Sequence, residues 1–360
     1  MKLALPLILA AGCDDPAGPA TNPPPPWGAP ISGGNLIVTA SGHAVIADPD
    51  RDRIMSTDLA SGTTIEVALE AHDEPGRLVE DAAGRIHVAL RRGNAIVTLD
   101  GAARAQVISR RAACNEPRGV AFDRTADTIH VACASGELVT LPAAGGEATR
   151  RLQLERDLRD VVVQGTGLVV TRFRSAELLT LNAAGAIISR VKPPVVRRPD
   201  LGGFVTEPHG DGLVDALPAV AWRAIPVGDR VVVSHQRQLQ TKLEIRQQGG
   251  YGGGCGGGPV EASLTTLSTG AAPFAVAPPF MGSLPVDLAV NPQRTELAVV
   301  LAGNHRVERC RSGRSTRRTR TASAARPAAR GSRISSVRRP RSRTARAASS
   351  SCSIPRCRRS

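Results

Sequence analysis

A segment of about 41 residues recurs along the chain, and this repeat restricts the possible fold more than any other feature. Copies begin near Asn35, Arg77, Arg118 and Arg159, and the three arginines lie 41 residues apart in matching places. Each copy contains four short runs rich in β-branched residues, separated by turns that contain Gly, Asn or Asp. Four strands in about forty residues is the spacing of a propeller blade, and so small a sheet must stack against its neighbours. The repeat therefore predicts an all-β propeller built from four-stranded blades.

Later copies of the repeat are interrupted. A copy that begins at Pro218 gives two strands before a glycine-rich stretch, and a further copy begins at Pro285. We expect insert loops near residues 192–216 and 247–258, because connections of this length are unusual between the strands of a compact domain. The pattern as a whole predicts a propeller over residues 35–307, with about five visible blades in an incomplete ring and disordered termini.

One repeat carries the motif PRGVAFD at residues 117–123, followed by IHVA at residues 129–132. This pattern resembles the NHL and YVTN-type propeller families over roughly residues 35–307. Propellers host binding scaffolds as well as enzymes, so the resemblance implies a fold more than a function. A narrower likeness is to secreted propeller lipoproteins of high-GC bacteria, some of which carry a c-type haem module. The Cys-x-x-Cys-His motif that attaches such a haem does not occur in this sequence, so the haem does not carry over.

The start of the chain has the layout of a secretory signal. Lys2 precedes an apolar run over residues 3–11, which is too short to span a bilayer. The following stretch, LAAGC, ends at Cys13 and resembles the bacterial lipobox, in which cleavage exposes a cysteine that then takes up lipid. We expect a signal peptide over residues 1–12 and a lipid-anchored, Pro-rich tether over residues 13–34. The protein would then lie in the cell envelope, in the periplasm or on the outer surface. The alternative is an apolar start with an incidental cysteine.

The net charge of +14 is concentrated in the last 53 residues of the chain. Residues 308–360 contain 17 Arg and one acid, so they carry +16 and leave residues 1–307 with −2. A segment of Arg, Ser and Ala with few large apolar residues is expected to be disordered. It is either an arginine-rich arm that binds nucleic acid or a frameshifted end of the coding sequence. We favour the frameshift, because the repeat stops inside a blade rather than between blades.

Two cysteines of one repeat are candidates for a disulfide bond. Cys114 lies in the loop before the first strand of its copy, and Cys133 lies at the end of the second strand. Adjacent antiparallel strands can bring such positions within bonding distance, and an exported protein meets an oxidising compartment. We expect the bond, and the alternative is two unpaired thiols.

Few residues have the chemistry of a ligand or metal site. His87 and His130 recur at the same place of the IHVA motif, where they could converge near the ring axis. His209 and Asp211 share a polar loop, and His235 ends a strand that could face the same opening. The alternative for each is a structural strand residue or a solvated loop residue. We therefore assign no metal, cofactor or catalytic residue.

These observations favour a binding function over an enzymatic one. We expect a cell-envelope lipoprotein that uses its propeller as a scaffold for an unknown protein or glycan ligand. Its other partner would be membrane lipid held through Cys13. We expect a monomer without a nucleic-acid partner, since an exported and anchored protein seldom meets nucleic acid. The alternative is a periplasmic enzyme or redox partner that uses histidines near the central opening.

The lipid anchor can be tested by replacing Cys13. Acyl chains on this residue would hold the protein stably at a membrane, because two or more chains give firm attachment. The Cys13→Ser variant should therefore move from the membrane pellet to the soluble fraction on cell fractionation. A variant that still pellets with membranes and resists a salt wash would contradict the lipobox interpretation.

Overall fold

The fold is a β-propeller of six antiparallel sheets, as seen in a computed structural model. The structure describes residues 33–199, 213–240, 259–268, 274–280, 282–311 and 357–358. Six sheets follow one another along the chain. The expected count of about five is wrong because the copy at Asn35 and both interrupted copies each form a sheet of their own. None of the described residues belongs to a helix long and apolar enough to cross a membrane.

Each of the first three blades places its strands in chain order. Blade 1 contains β1 (Leu36–Val38), β2 (His43–Asp48), β3 (Arg53–Asp58) and β4 (Thr64–Ala68). Blade 2 contains β5 (Pro75–Glu80), β6 (Ile86–Leu90), β7 (Ala95–Leu99) and β8 (Val107–Ala112). Blade 3 contains β9 (Pro117–Asp123), β10 (Thr128–Cys133), β11 (Glu137–Pro142) and β12 (Arg150–Gln153). The first strand of each blade is the innermost, and the fourth strand lies at the rim.

The last three blades include the interrupted copies. Blade 4 contains β13 (Leu158–Gln164), β14 (Gly167–Arg172), β15 (Leu178–Leu181) and β16 (Ile187–Val191). Blade 5 contains β17 (Val196–Pro199), β18 (Leu213–Val227), β19 (Arg230–Leu239), β20 (Val260–Ser268) and β21 (Phe274–Phe280). Blade 6 contains β22 (Pro285–Val290), β23 (Glu296–Leu301), a 3-10 turn (Ala302–Asn304), β24 (Arg306–Arg311) and β25 (Cys357–Arg358).

Strands occupy part of the regions expected to be insert or tail. β17 and the start of β18 pair across the first expected insert loop, near residues 192–216, while residues 200–212 lie outside the described part. The second expected loop, residues 247–258, is also outside it. β24 continues four residues past the expected end of the repeats at Val307, and β25 pairs with it. Residues 1–32 and 312–356 are outside the described residues, so the predicted leader, tether and most of the tail stay predictions.

Apolar clusters between neighbouring blades form the core. One cluster joins each successive pair from blades 1 and 2 to blades 5 and 6. They consist mainly of Val, Leu, Ile and Ala, as a chain with 2% aromatic residues requires. Within the described part of the chain, no such cluster joins blade 6 to blade 1. Leu36 and Val307, on the faces of these two blades, are 51% and 50% exposed. Blades 1 and 6 instead meet at the inner ends of their first strands, where Gly33 packs against the Val286 carbonyl.

The predicted disulfide between Cys114 and Cys133 is confirmed. Their Cα atoms lie 6.3 Å apart, and the bond ties the loop before β9 to the end of β10. Both cysteines are buried in the cluster between blades 2 and 3. The bond therefore closes a loop within one blade beside the apolar core.

The register of the inner strands corrects the alignment of the repeated arginines. Leu78 lies opposite Val88, and the equivalent Val120 lies opposite Val131. Arg77 is therefore level with Gly119 and Asp160, one position further along its strand than Arg118 and Arg159 are along theirs. Arg77 and Arg118 are 41 residues apart, but equivalent strand positions in blades 2 and 3, such as Leu78 and Val120, are 42 residues apart. An alignment of the arginines by their spacing therefore misses the one-residue offset.

A buried ion network fills the ring centre at the level of Arg77. The Asp160 carboxylate lies 3.2 Å from the Arg77 guanidinium and 3.0 Å from that of Arg223. Arg223 also pairs with Asp287 at 3.2 Å. Arg77 donates hydrogen bonds to the carbonyls of Gly33, at 2.8 Å, and Trp222, at 2.9 Å. The network therefore joins the inner ends of blades 1, 2, 4, 5 and 6.

Blade 3 supplies a glycine at the same level. A Cβ atom on Gly119 would lie 2.7 Å from the Asp160 Cα and 3.0 Å from the Arg159 carbonyl oxygen. A side chain at this position would push β9 away from β13. Glycine therefore permits the close approach of these two inner strands, and with it the placement of Asp160 between its arginines.

Candidate functional site

A cavity of about 520 Å³ opens at the end of the ring where the inner strands begin. We call it the arginine cavity, because five arginines from blades 2 to 4 line it: Arg91, Arg118, Arg156, Arg159 and Arg174. Two acids, Glu116 and Asp157, and two aromatic residues, Phe173 and Trp222, complete the charged and aromatic part of the wall. The volume is that of an ordinary small-ligand site.

The rim of the cavity is built by a turn that recurs in blades 2, 3 and 4. The residue just before each inner strand is an acid in the left-handed backbone region: Glu74, Glu116 and Asp157. Its carbonyl accepts a hydrogen bond from the N–H at or just after the end of the second strand, from Arg91, Ala134 and Phe173 respectively. The end of each second strand is thereby held over the start of its first strand, and side chains from both project around one opening.

Arg159 is held at the centre of the cavity wall by two aromatic rings. Its guanidinium carbon lies 4.9 Å from the centroid of Phe173 and 5.6 Å from that of Trp222. The two rings pack edge to face with centroids 5.2 Å apart. The Trp222 Nε1–H donates to Gln236 Oε1 at 3.3 Å, which fixes the indole. Arg159 therefore has a defined position through cation–π contacts rather than through a carboxylate.

The cavity carries positive charge that its own acids do not offset. Arg118 pairs with Glu116 at 3.3 Å, and Arg174 lies 4.0 Å from Asp157. Arg159 makes no ion pair with any described residue, and its buried Nε has no hydrogen-bond partner. Burial, together with the neighbouring Arg77 and Arg118, lowers the pKa of Arg159 to about 9. Burial and Arg118 also lower the pKa of Arg91. Neighbouring arginines thus destabilise the charged forms of Arg91 and Arg159, and a bound anion would relieve that repulsion.

The histidines of the IHVA motif occupy hydrogen-bonded sets within their own blades. His87 Nε2 lies 2.9 Å from Asp81 Oδ2, and its Nδ1 lies 3.0 Å from Thr98 Oγ1. His130 repeats this arrangement in blade 3, with Nδ1 3.0 Å from Thr140 Oγ1 and Nε2 4.0 Å from Asp123 Oδ2. Both histidines are buried on the second strand, which lies between the first and third strands rather than at the axis. Each ring therefore packs within its blade, and neither lines the arginine cavity.

The remaining candidate site residues fall in different places. His235 is fully buried in β19, where Nε2 lies 2.8 Å from Thr265 Oγ1 and Nδ1 lies 3.0 Å from the Gln236 carbonyl. Cys13, His209 and Asp211 lie outside the described residues. No group of three or more His, Cys, Asp or Glu side chains in the described ranges could hold a metal ion.

The arginine cavity was not identified from the sequence, although a signal was present. Arg118 and Arg159 stand at the start of β-branched runs in consecutive repeats, where an apolar or small residue would be ordinary. The 41-residue spacing of these arginines indicates the repeat period but does not by itself indicate a site. Their convergence on Phe173 and Trp222 depends on ring geometry that a single sequence does not display.

The buried histidines predict a loss of stability in mild acid. Burial lowers the pKa of His130 to about 4, below its ordinary value of 6.5. Unfolding therefore takes up a proton below pH 6.5, so stability is full above that pH and falls as the pH approaches 4. The shift corresponds to roughly 3 kcal/mol for this residue. Urea unfolding at pH 7.5 and at pH 4.5 should show a smaller difference for His130→Gln than for the native chain.

The exposed His72 offers the matched control for that comparison. His72→Asn should keep the full pH dependence, because His72 is solvent-exposed in the folded protein. If His130→Gln and His72→Asn show the same loss between the two pH values, His130 is not held neutral by burial.

Comparison with known proteins supports the propeller fold. Neither a family model nor a curated protein matches the sequence. Hydrazine synthase of Kuenenia stuttgartiensis aligns with a TM-score of 0.61 and 15% identity, over 81% of this chain and 79% of that one. The WD40 domain of Neurospora crassa Pan2 aligns with a TM-score of 0.51 and 12% identity, over 74% and 72%. At these identities the likeness extends to the fold alone: the chain is similar to β-propeller proteins.

Proposed function

We propose that this chain is a cell-envelope lipoprotein whose propeller binds an anionic ligand in the arginine cavity. The observation that carries the proposal is the unpaired charge of Arg159, fixed on two aromatic rings inside a ligand-sized cavity. A cation in such a place is costly unless something offsets its charge. No described carboxylate forms an ion pair with Arg159, so in this proposal the ligand supplies the negative charge.

The ligand class follows from guanidinium chemistry. Carboxylate, phosphate and sulfate groups accept two parallel hydrogen bonds from one guanidinium, a pairing that is stronger and more selective than a neutral hydrogen bond. Arg118 and Arg159 occupy equivalent places on adjacent inner strands, so an acidic group between them would meet both. Phe173 and Trp222 offer apolar surface beside the charges. A small organic acid or an acidic sugar unit fits this combination.

The envelope part of the proposal rests on the sequence. The lipobox-like stretch before Cys13 and the Pro-rich tether that follows would hold the propeller near a membrane. An anchored, monomeric binding module can capture acidic glycans or metabolites at that surface. Nucleic acid is not part of the proposal, because a cavity of about 520 Å³ takes a small molecule rather than a polyanion. The described histidines line no part of the arginine cavity, so the geometry favours binding over the enzymatic alternative.

Removal of the unpaired charge tests the proposal. Arg159→Met keeps an unbranched apolar stem against Phe173 and Trp222 but removes the cation. The native chain should bind glucuronate or citrate in calorimetric titration at low salt, and should not bind glucose. Arg159→Met should weaken the affinity for the acid by about tenfold to a hundredfold, because this is the usual effect of removing a hydrogen bond to a charged group. Its thermal stability should be unchanged or higher, because an unpaired, half-buried charge has been removed.

Arg104→Met is the matched control for the charge change. Arg104 is 82% exposed and lies in another blade loop, outside the arginine cavity. This variant should bind the acids as the native chain does. If neither glucuronate, citrate nor pyrophosphate binds the native chain, or if both variants lose affinity equally, the cavity is not an anion site.

A further inference from the structure

Blade 4 lacks the histidine that blades 2 and 3 carry on their second strands. In blade 2, Val79, His87 and Thr98 lie opposite one another across three strands. The corresponding row in blade 4 is Val162, Val169 and Thr180. Val169 thus stands where His87 and His130 stand in their blades. The aspartate of the set is also replaced, because Gln164 occupies the place of Asp81 and Asp123.

A cavity of about 480 Å³ lies beside this altered row, between blades 4 and 5. Val169, Leu178, Val231 and Leu267 give it apolar walls, and Gln164 and Thr180 line it with polar atoms. No described side chain that lines it is charged. The cavity therefore suits a neutral molecule, in contrast to the arginine cavity.

Gln164 and Thr180 lack the histidine partner that the equivalent residues face in blades 2 and 3. Gln164 Oε1 is buried without a hydrogen-bond partner, while its Nε2 donates to the Asp229 carbonyl at 2.8 Å. The amide is thus oriented with its acceptor free. Thr98 and Thr140 each bond a histidine ring, but Thr180 faces a valine. A buried acceptor without a donor is uncommon in folded proteins, and it marks the place where a ligand donor would fit.

We propose that the cavity between blades 4 and 5 binds a small neutral molecule that has an apolar body and one hydrogen-bond donor. The donor bonds Gln164 Oε1, an acceptor or hydroxyl on the ligand meets Thr180 Oγ1, and the apolar part packs on Leu178, Val231 and Leu267. A five-membered nitrogen heterocycle reproduces the missing histidine ring most closely. The site is separate from the arginine cavity, since Arg159 stands near the start of β13 and Gln164 is its last residue.

The probe for this site is 4-methylimidazole, which is the histidine side chain as a free molecule. At pH 8.5, where the ring is neutral, it should bind the native chain saturably and raise the melting temperature. Toluene has a similar size but no donor, so it should bind at least fivefold more weakly. Val169→His should show a higher melting temperature without ligand and no response to the probe, because its own ring would fill the place.

A second variant keeps the test decisive if Val169→His does not fold. Gln164→Leu removes the free acceptor at nearly constant shape, and it should weaken 4-methylimidazole binding at least fivefold. Arg159→Met should leave that binding unchanged, which separates this site from the proposed anion site. The inference is overturned if the native chain shows no saturable binding of the probe, or if Gln164→Leu binds it as tightly as the native chain.

Discussion

The ion network around Asp160 is the constraint on which the rest of the structure depends. A buried carboxylate is stable only when its charge is matched and its oxygens accept hydrogen bonds. Burial opposes the ionisation of Asp160, but Arg77 and Arg223 together lower its pKa, and the Ala224 N–H donates to Oδ2 at 2.9 Å. These partners come from blades 2 and 5, on either side of blades 3 and 4. The carboxylate can be satisfied only if the inner strands converge, so the network fixes the ring centre as well as filling it.

The same network explains why the cavity above it is positively charged. Arg159 and Asp160 are neighbours near the start of β13, where a bulge interrupts the pairing with β14. The Asp160 side chain lies in the ring centre, and the Arg159 side chain lies in the wall of the cavity. Asp160 is already shared by Arg77 and Arg223 and cannot also neutralise Arg159. Phe173 and Trp222 hold that guanidinium without neutralising it. The network at the ring centre thus leaves Arg159 without a counter-charge in the cavity wall, and Arg159 is the basis of the proposed anion binding.

The sequence predicted the parts of this structure that depend on local pattern. Four β-branched runs per repeat correctly predict four-stranded blades. The positions of Cys114 in a loop and Cys133 at a strand end correctly predict their disulfide bond. The expected blade count was one too low, because the copy at Asn35 and both interrupted copies each form a sheet. The side-chain direction of His87 and His130 could not be predicted, since recurrence in a repeat is equally compatible with the axis and with the space between strands. The one-residue offset of Arg77 arises because equivalent strand positions in blades 2 and 3, such as Leu78 and Val120, are 42 residues apart, whereas the arginines are 41 apart.

The free energy of unfolding of Asp160→Asn tests the central claim most directly. The change keeps the shape of the side chain but leaves Arg77 and Arg223 buried without their shared counter-charge. Loss of one partner from a buried ion pair costs about 3–5 kcal/mol, so urea unfolding should show a loss of this size. Asp229→Asn, at an 86% exposed side chain, should change the free energy by less than about 1 kcal/mol. If the Asp160→Asn and Asp229→Asn variants prove equally stable, the network does not hold the ring together, and the account is contradicted.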